Sequence, residues 1–263
     1  MYLHLIKKSL NKCPKIQKNQ PNTCKTFLSK AKQYQSSSFL ENDNLKTPQV
    51  YLEPKARTEK IIELLEKQYP NAKTALNYAN PLEILVATML SAQTTDVQVN
   101  IVTQKLFKKF RSAEDYANAE IKELEQDIHS TGFYHNKAKN LQNCCRLLVE
   151  KFHSQVPKTM EELIELPGVA RKTANIVLYN AFGITAGIAV DTHVTRLSKR
   201  LGLTEQKEQS KIERDLMQIT PKIKWMPLTD LLIFHGRQIC IAKKPKCEIC
   251  SLSKICPSAF TFG

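Results

Sequence analysis

Four cysteines near the C-terminus, Cys240, Cys247, Cys250 and Cys256, are separated by six, two and five residues, which puts four thiols within 17 residues. Such a set can hold a metal: zinc takes four thiolates tetrahedrally, and a 4Fe-4S cluster takes one thiolate per anchored iron. Spacing alone leaves both open, and without a secretion signal no disulfide is implied. A second group surrounds Gly168. Thr159 to Glu162 has the form of a capping box, a hydroxyl for the amide of Glu162 and a carboxylate returning to the cap amide, so a short helix is expected to start there and to end at Pro167-Gly168. Ala174, Val177, Leu178 and Ala181 then form an apolar helical stripe up to Gly183, a C-terminal cap. This gives two helices joined by the hairpin Leu166 to Ala170, whose backbone amides can hold a phosphate without touching a base, while Gly168 lets the chain come close. An ordinary helical hairpin is the plain alternative. Against it, Arg171 and Lys172 open the second helix, where cations oppose the helix dipole unless an anion uses them. The Lys172-Thr173 pair is not a nucleotide-binding P-loop, because position 171 is not glycine and no strand precedes it.

Three further positions carry polar or aromatic groups at helix boundaries. Asp191 precedes the helical run Thr192 to Leu201 and reads as its N-cap. Gln93 sits in the polar turn Ser91 to Asp96, and Phe133 directly follows Gly132, with core packing as the alternative for that ring. Lys243, Lys244 and Lys246 lie inside the first cysteine loop, where a bound metal would fix the backbone and aim these cations at a phosphate strand.

The elements that must position these residues are helical. Apolar steps of three or four recur at Ile61, Leu65 and Tyr69 after Thr58, with Pro70 as a stop. They recur again at Val99, Val102, Leu106 and Phe110, at Ile121, Leu124 and Ile128, and at Leu141, Cys145, Leu148 and Phe152. Cys144 and Cys145 belong to the last stripe and are expected to pack. Only seven glycines occur in 263 residues, too few for an all-β chain of many tight turns, and the expectation is an all-α protein of about nine or ten helices. No apolar run approaches the roughly 18 residues of a membrane span, so an integral membrane protein is excluded.

Lysine and arginine outnumber aspartate and glutamate by 39 to 25, a net charge of +14 that favours a polyanionic partner such as nucleic acid. Half of that excess falls in residues 1–50, where lysines face only Glu41 and Asp43 among few apolar positions. Residues 1–54 are therefore expected to be a disordered basic tail. Its opening Met1 to Ile6 is too short for the apolar core of a signal peptide, and the absence of arginine argues against a mitochondrial presequence.

The segment Leu166-Pro167-Gly168-Val169-Ala170-Arg171-Lys172-Thr173-Ala174-Asn175 resembles the helix-hairpin-helix of the endonuclease III family, bacterial DNA glycosylases and abasic-site lyases. Leu90 to Asp96, Val190-Asp191-Thr192-His193 and the four-cysteine pattern agree in order and spacing, so the resemblance covers roughly residues 55–258. It implies two helical lobes flanking a DNA-binding cleft: a six-helix lobe, 74–184, containing the helix-hairpin-helix at 159–183, and a cluster lobe joining 55–73 to 185–263. It implies one 4Fe-4S cluster per chain on Cys240, Cys247, Cys250 and Cys256, ahead of zinc. The implied activity is base-excision repair of double-stranded DNA: removal of oxidised pyrimidines and cleavage 3′ to the abasic site. Lys172 would be the amine nucleophile, with Arg171 and the helix end disfavouring a second cation, and Asp191 would assist at the sugar. Gln93 would fill the space left by a flipped nucleotide and Phe133 would be a wedge, while Gly168, Ala170, Arg171 and the loop lysines 243, 244 and 246 would meet DNA. A monomer without membrane contact is expected, cytoplasmic and nucleoid-associated if bacterial, with an organelle or nucleus as alternatives. Ala170 departs from the glycine many relatives carry, which matters only if its φ is positive. The alternatives are an adenine-mismatch glycosylase, disfavoured by the presence of Lys172, and a non-catalytic helix-hairpin-helix module with a structural metal.

Overall fold

The computed structural model describes residues 52–262, and the expected basic tail lies, but for its last three residues, outside them, as do Cys13 and Cys24. The described residues are all-helical, with no strand among them. Eleven α-helices occur among the described residues, one or two more than expected: α1 Pro54–Gln68, α2 Pro81–Leu90, α3 Asp96–Lys109, α4 Ala113–Asn118, α5 Ile121–Ile128, α6 Tyr134–Phe152, α7 Met160–Glu165, α8 Arg171–Phe182, α9 Thr192–Arg200, α10 Gln209–Ile219 and α11 Trp225–Gln238. The excess comes from short or uniformly apolar helices that leave no clean stripe, such as α4 and α2. None of the described helices is long and apolar enough to cross a membrane.

Caps account for most boundaries. Pro54 at the first position of α1 starts that helix four residues before Thr58, because a proline there lacks only an amide the helix leaves unpaired anyway. Asn80 caps α2 by accepting the amide of Glu83 at 2.9 Å. Thr159 caps α7 through the amide of Glu162, but the Glu162 carboxylate accepts the Thr159 hydroxyl at 2.7 Å instead of returning to the cap amide, so the expected capping box is only half made. Gly183 ends α8 in the left-handed region at φ 67°.

Two hydrophobic cores form. One runs from Leu76 through Leu178 and is centred on α2, whose residues 84–90 are all buried and which packs against α8. A helix apolar on every side belongs in the middle of a core, and each fully buried leucine there contributes roughly 2 kcal/mol. The other joins Ile61, Ile62 and Leu65 of α1 to residues 188–255, so a segment early in the chain completes a lobe made mostly of the C-terminal third. Arg57 fastens this closure by donating to the carbonyls of Leu52, Leu201 and Gly202 at 2.6 to 3.1 Å.

Candidate functional site

An open cleft of about 1900 Å³ is lined by residues of both cores. Lys172 enters from the first turn of α8, Gln93 from the turn after α2, and Asp191 from the loop that opens α9. Three residues far apart in the chain thus meet in one space. Lys172 is exposed and its ammonium has no partner in the described chain, whereas Asp191 is half-buried and accepts the amide of Val194 at 2.8 Å, the N-cap that its position implied.

Arg171, one residue before Lys172, has a different fate. Its Nε donates to Glu213 Oε2 at 2.7 Å, and Glu213 Oε1 accepts from Asn175 Nδ2 at 2.9 Å. Successive residues on a helix point about 100° apart, so one cation turns to α10 and the other to the cleft. The anion demanded by two cations at a helix start is therefore supplied internally for Arg171. Glu213 lies on the buried face of α10 between Ile212 and Leu216, and a carboxylate on an apolar stripe is the signal that sequence reasoning overlooked.

The hairpin is open to solvent at Gly168 and Ala170. Gly168 is exposed with φ +79°, and a Cβ there would meet Asn140 Cβ at 3.0 Å and Met89 Cε at 3.1 Å, so both conformation and space ask for glycine. Ala170 has φ −90° and ψ 167°, ordinary extended backbone, and alanine at this position carries no strain.

Gln93 and Phe133 stand at the tips of two neighbouring turns, both with left-handed backbone at φ 56° and 50°. Such a conformation costs a non-glycine residue on the order of 1 kcal/mol, so something must hold each turn. Lys137 does so for both. Its buried ammonium donates to Leu90 O, Thr94 Oγ1 and Thr131 O, each at 2.8 Å, matching three N–H donors to three oxygens. Thr94 in turn donates to Thr131 O, and Gln98 Nε2 donates to Ser130 Oγ at 2.8 Å. Burial lowers the lysine to about 8, which still leaves it protonated at neutral pH. Phe133 itself is 63% exposed and does not pack in the core. Lys137 was missed although it occupies the apolar stripe one turn before Leu141, where a charge is out of place. Lys137→Met is expected to lower stability by roughly 3 kcal/mol, because buried carbonyls lose their donor; chemical unfolding at neutral pH measures it, and a loss under about 0.5 kcal/mol would refute the clamp.

The four cysteines ring a separate cavity of about 390 Å³ in the second lobe. Arg200 Nη1 donates to Cys240 Sγ at 3.3 Å, and His235 Nε2 lies 3.3 Å from Cys250 Sγ with Tyr69 Oη 3.2 Å from its Nδ1. Burial lowers His235 to about 4, so the ring is neutral: Tyr69 donates to Nδ1, leaving the Nε2 proton for the sulfur. Burial also pushes the Cys250 and Cys256 thiols up to about 11, so thiolates here need a cationic group among them. No three His, Cys, Asp or Glu side chains among the described residues converge as they would on a single ion. Four sulfurs that line one space without converging on a point suit a polynuclear cluster better than one zinc. Lys243, Lys244 and Lys246 are exposed on the loop between Cys240 and Cys247 and do not join the Lys172 cleft. Cys144 and Cys145 are fully buried packing residues of the first core.

Comparison with known proteins agrees with this arrangement. A family model described as HhH-GPD superfamily base excision DNA repair protein matches residues 86–222, and one described as the iron-sulfur binding domain of endonuclease III matches residues 240–256. The chain is 53% identical over 205 residues to endonuclease III of Synechocystis sp., covering 78% of this chain and 94% of that one. It is 45% identical over 199 residues to endonuclease III of Bacillus subtilis, covering 75% and 90%. Among solved structures it resembles a non-covalent endonuclease III–DNA complex with a TM-score of 0.76 at 44% identity, covering 79% of this chain and 97% of that one. Hairpin, cleft and cysteine ring thus lie within one stretch shared almost end to end with these relatives, and the chain belongs to the endonuclease III family of base excision DNA repair proteins.

Proposed function

We propose that the chain removes oxidised pyrimidines from double-stranded DNA and then cuts the strand 3′ to the abasic site, with Lys172 as nucleophile. The observation that carries this reading is an ammonium without a partner in the chain, lining one cleft together with Asp191 and Gln93. The neutral Lys172 amine attacks the sugar carbon that bears the base; the new C–N bond replaces the glycosidic bond, and the base leaves with a proton. The sugar ring then opens at its C1′–O bond, the ring oxygen taking a proton, to leave an iminium; this acidifies the adjacent sugar C–H, loss of that proton breaks the 3′ C–O bond with the phosphate as leaving group, and water then releases the lysine. Asp191, held at its helix start by the Val194 amide, stabilises positive character on the sugar as the base departs. Gln93 occupies the space vacated by the flipped nucleotide, and Phe133 wedges the neighbouring step. Gly168 and the amides that open α8 hold a phosphate, joined by the exposed side of Arg171, while the lysines of the cysteine loop meet the DNA backbone away from the Lys172 cleft.

Cys240, Cys247, Cys250 and Cys256 hold a 4Fe-4S cluster, which fixes the loop between the first two of them, and no step of the reaction passes through it. On this reading the chain acts as a monomer, on the nucleoid if the cell is bacterial. Borohydride trapping on duplexes carrying either an oxidised pyrimidine or an abasic site tests the reading. A covalent adduct on both is expected; an adduct on the abasic site alone would remove the oxidised-pyrimidine assignment, and none on either would remove the amine mechanism.

A further inference from the structure

Helix α11 presents Met226, Asp230, Ile233 and Phe234 to the cleft at three- and four-residue spacing. The Thr229 hydroxyl donates to Ala189 O at 3.4 Å, which sets this face beside the segment leading into Asp191. Three carboxyl groups therefore line the cleft, and two have partners. Asp96 pairs with Arg237 at 2.8 Å, and Asp191 accepts the Val194 amide. The carboxyl of Asp230 makes no hydrogen bond or ion pair within the described chain, although it is half-buried beside apolar neighbours on α11.

A carboxyl that no group of the chain engages keeps its hydrogen-bonding capacity for whatever enters the cleft. An ionised carboxylate would also repel the polyanion the cleft receives. Burial pushes Asp230 up to about 7, so the neutral acid is available under ordinary conditions. A neutral carboxylic acid offers an O–H donor beside a C=O acceptor. That pair is complementary to an N–H beside a C=O, the edge that a pyrimidine derived from thymine or uracil keeps when its 5,6 bond is oxidised or reduced.

We propose that Asp230 is the group that reads the hydrogen-bonding edge of the flipped base, through paired donor and acceptor contacts to its ring N–H and adjacent carbonyl. This rests on the oxidised-pyrimidine reading above and gives it a specificity residue. The contact recognises what the damaged bases share; the altered 5,6 positions face away from it. Met226, Ile233 and Phe234 supply apolar surface around the contact. Asp230 is not a proton donor or nucleophile for the sugar in this account.

The test compares base release from a duplex containing 5,6-dihydrothymine with strand cleavage at an abasic site, where there is no base to read, for the wild-type chain, Asp230→Asn and Asp230→Leu. Asparagine keeps one donor and one acceptor in the same shape, whereas leucine keeps the volume and neither contact. The ratio of base release to abasic cleavage is expected to fall by about 10-fold or more in Asp230→Leu, because a site built around hydrogen bonds discriminates strongly when they are lost. It is expected to stay within about threefold of wild type in Asp230→Asn. If the leucine chain does not fold, Asp230→Ala takes its place with the same expectation. A ratio unchanged in the apolar variant, or lost equally in the asparagine variant, overturns the assignment while leaving the functional reading intact. A wild-type chain that cuts abasic sites but releases no damaged pyrimidine overturns the functional reading itself, and this assignment with it.

Discussion

Lys172→Ala is expected to lower strand cleavage at an abasic site by roughly a thousandfold or more and to abolish the borohydride adduct, because Lys172 is the amine that the first turn of α8 brings into the cleft with Asp191 and Gln93. Among the cations that line the cleft, Lys73, Lys172 and Arg237, the arginine is engaged by Asp96 and cannot form a Schiff base. Lys73 lies before α2, in the loop that leads into the first core. The neighbouring Arg171 is held by Glu213, so it cannot swing in as a substitute cation without breaking a contact to a buried carboxylate. DNA affinity should change little, by a few-fold, since Lys172 is one of many cations and the hairpin amides remain. Quantitative cleavage and binding on the same duplex separate the two effects; a variant that binds and still cleaves within tenfold of wild type would remove Lys172 from the chemistry. Asp191→Asn makes a sharper contrast. Asparagine caps a helix as well as aspartate, so stability should hold within about 0.5 kcal/mol while base removal falls by about a hundredfold. A loss of folding there would show that the cap, and not the charge, is what matters.

The second large effect is structural. Cys250→Ser is expected to lose the visible absorbance of an iron-sulfur centre and to lower stability by on the order of 5 kcal/mol, or roughly 10 to 20 °C in Tm for a chain of this size. Cys240, Cys250 and Cys256 pack against the second hydrophobic core, and Leu252 and Ile255 of the same segment are part of it. The bonds from His235 to Cys250 and from Arg200 to Cys240 and to the carbonyls of Ile241 and Ala242 extend the cysteine ring into α9 and α11. Losing the bound group would therefore loosen the helices that carry Asp191 and Asp230, one at the start of α9 and the other within α11. Iron and sulfide analysis of anaerobically purified wild type, beside thermal unfolding of both proteins, checks the prediction. Stoichiometric zinc without iron in the wild type would overturn the nature of the group, and an unchanged Tm would overturn its structural role.

The local signals in the sequence were sufficient where short-range physics decides. The stripes at Val99 to Phe110, Ile121 to Ile128 and Leu141 to Phe152 became α3, α5 and α6, because burying one face every three or four residues is what a helix does with such a pattern. Asp191 began α9 through its carboxylate and Gly183 ended α8 through its left-handed backbone. The spacing of the cysteines and the residues around Gly168 pointed to a bound metal and a phosphate-holding hairpin for the same reason: few residues, close together, with strict geometric demands.

What depended on tertiary structure involved partners far apart along the chain. Arg171 meets Glu213 across 42 residues, and Lys137 meets Leu90 across 47, so neither clamp has a local signature beyond a charge on an apolar stripe. The exposure of Phe133 was undecidable from composition, since an aromatic ring after a glycine can point either way, and the left-handed turn stabilised by Lys137 sends it outward. The harmless conformation of Ala170 was likewise a matter of its φ, which no residue type alone determines. Asp230 makes the general reason plain. Its chemistry was visible as one aspartate among 25 acidic residues, but its lack of a partner is a property of everything packed around it, and only the assembled cleft shows a carboxyl that no other group of the described chain engages.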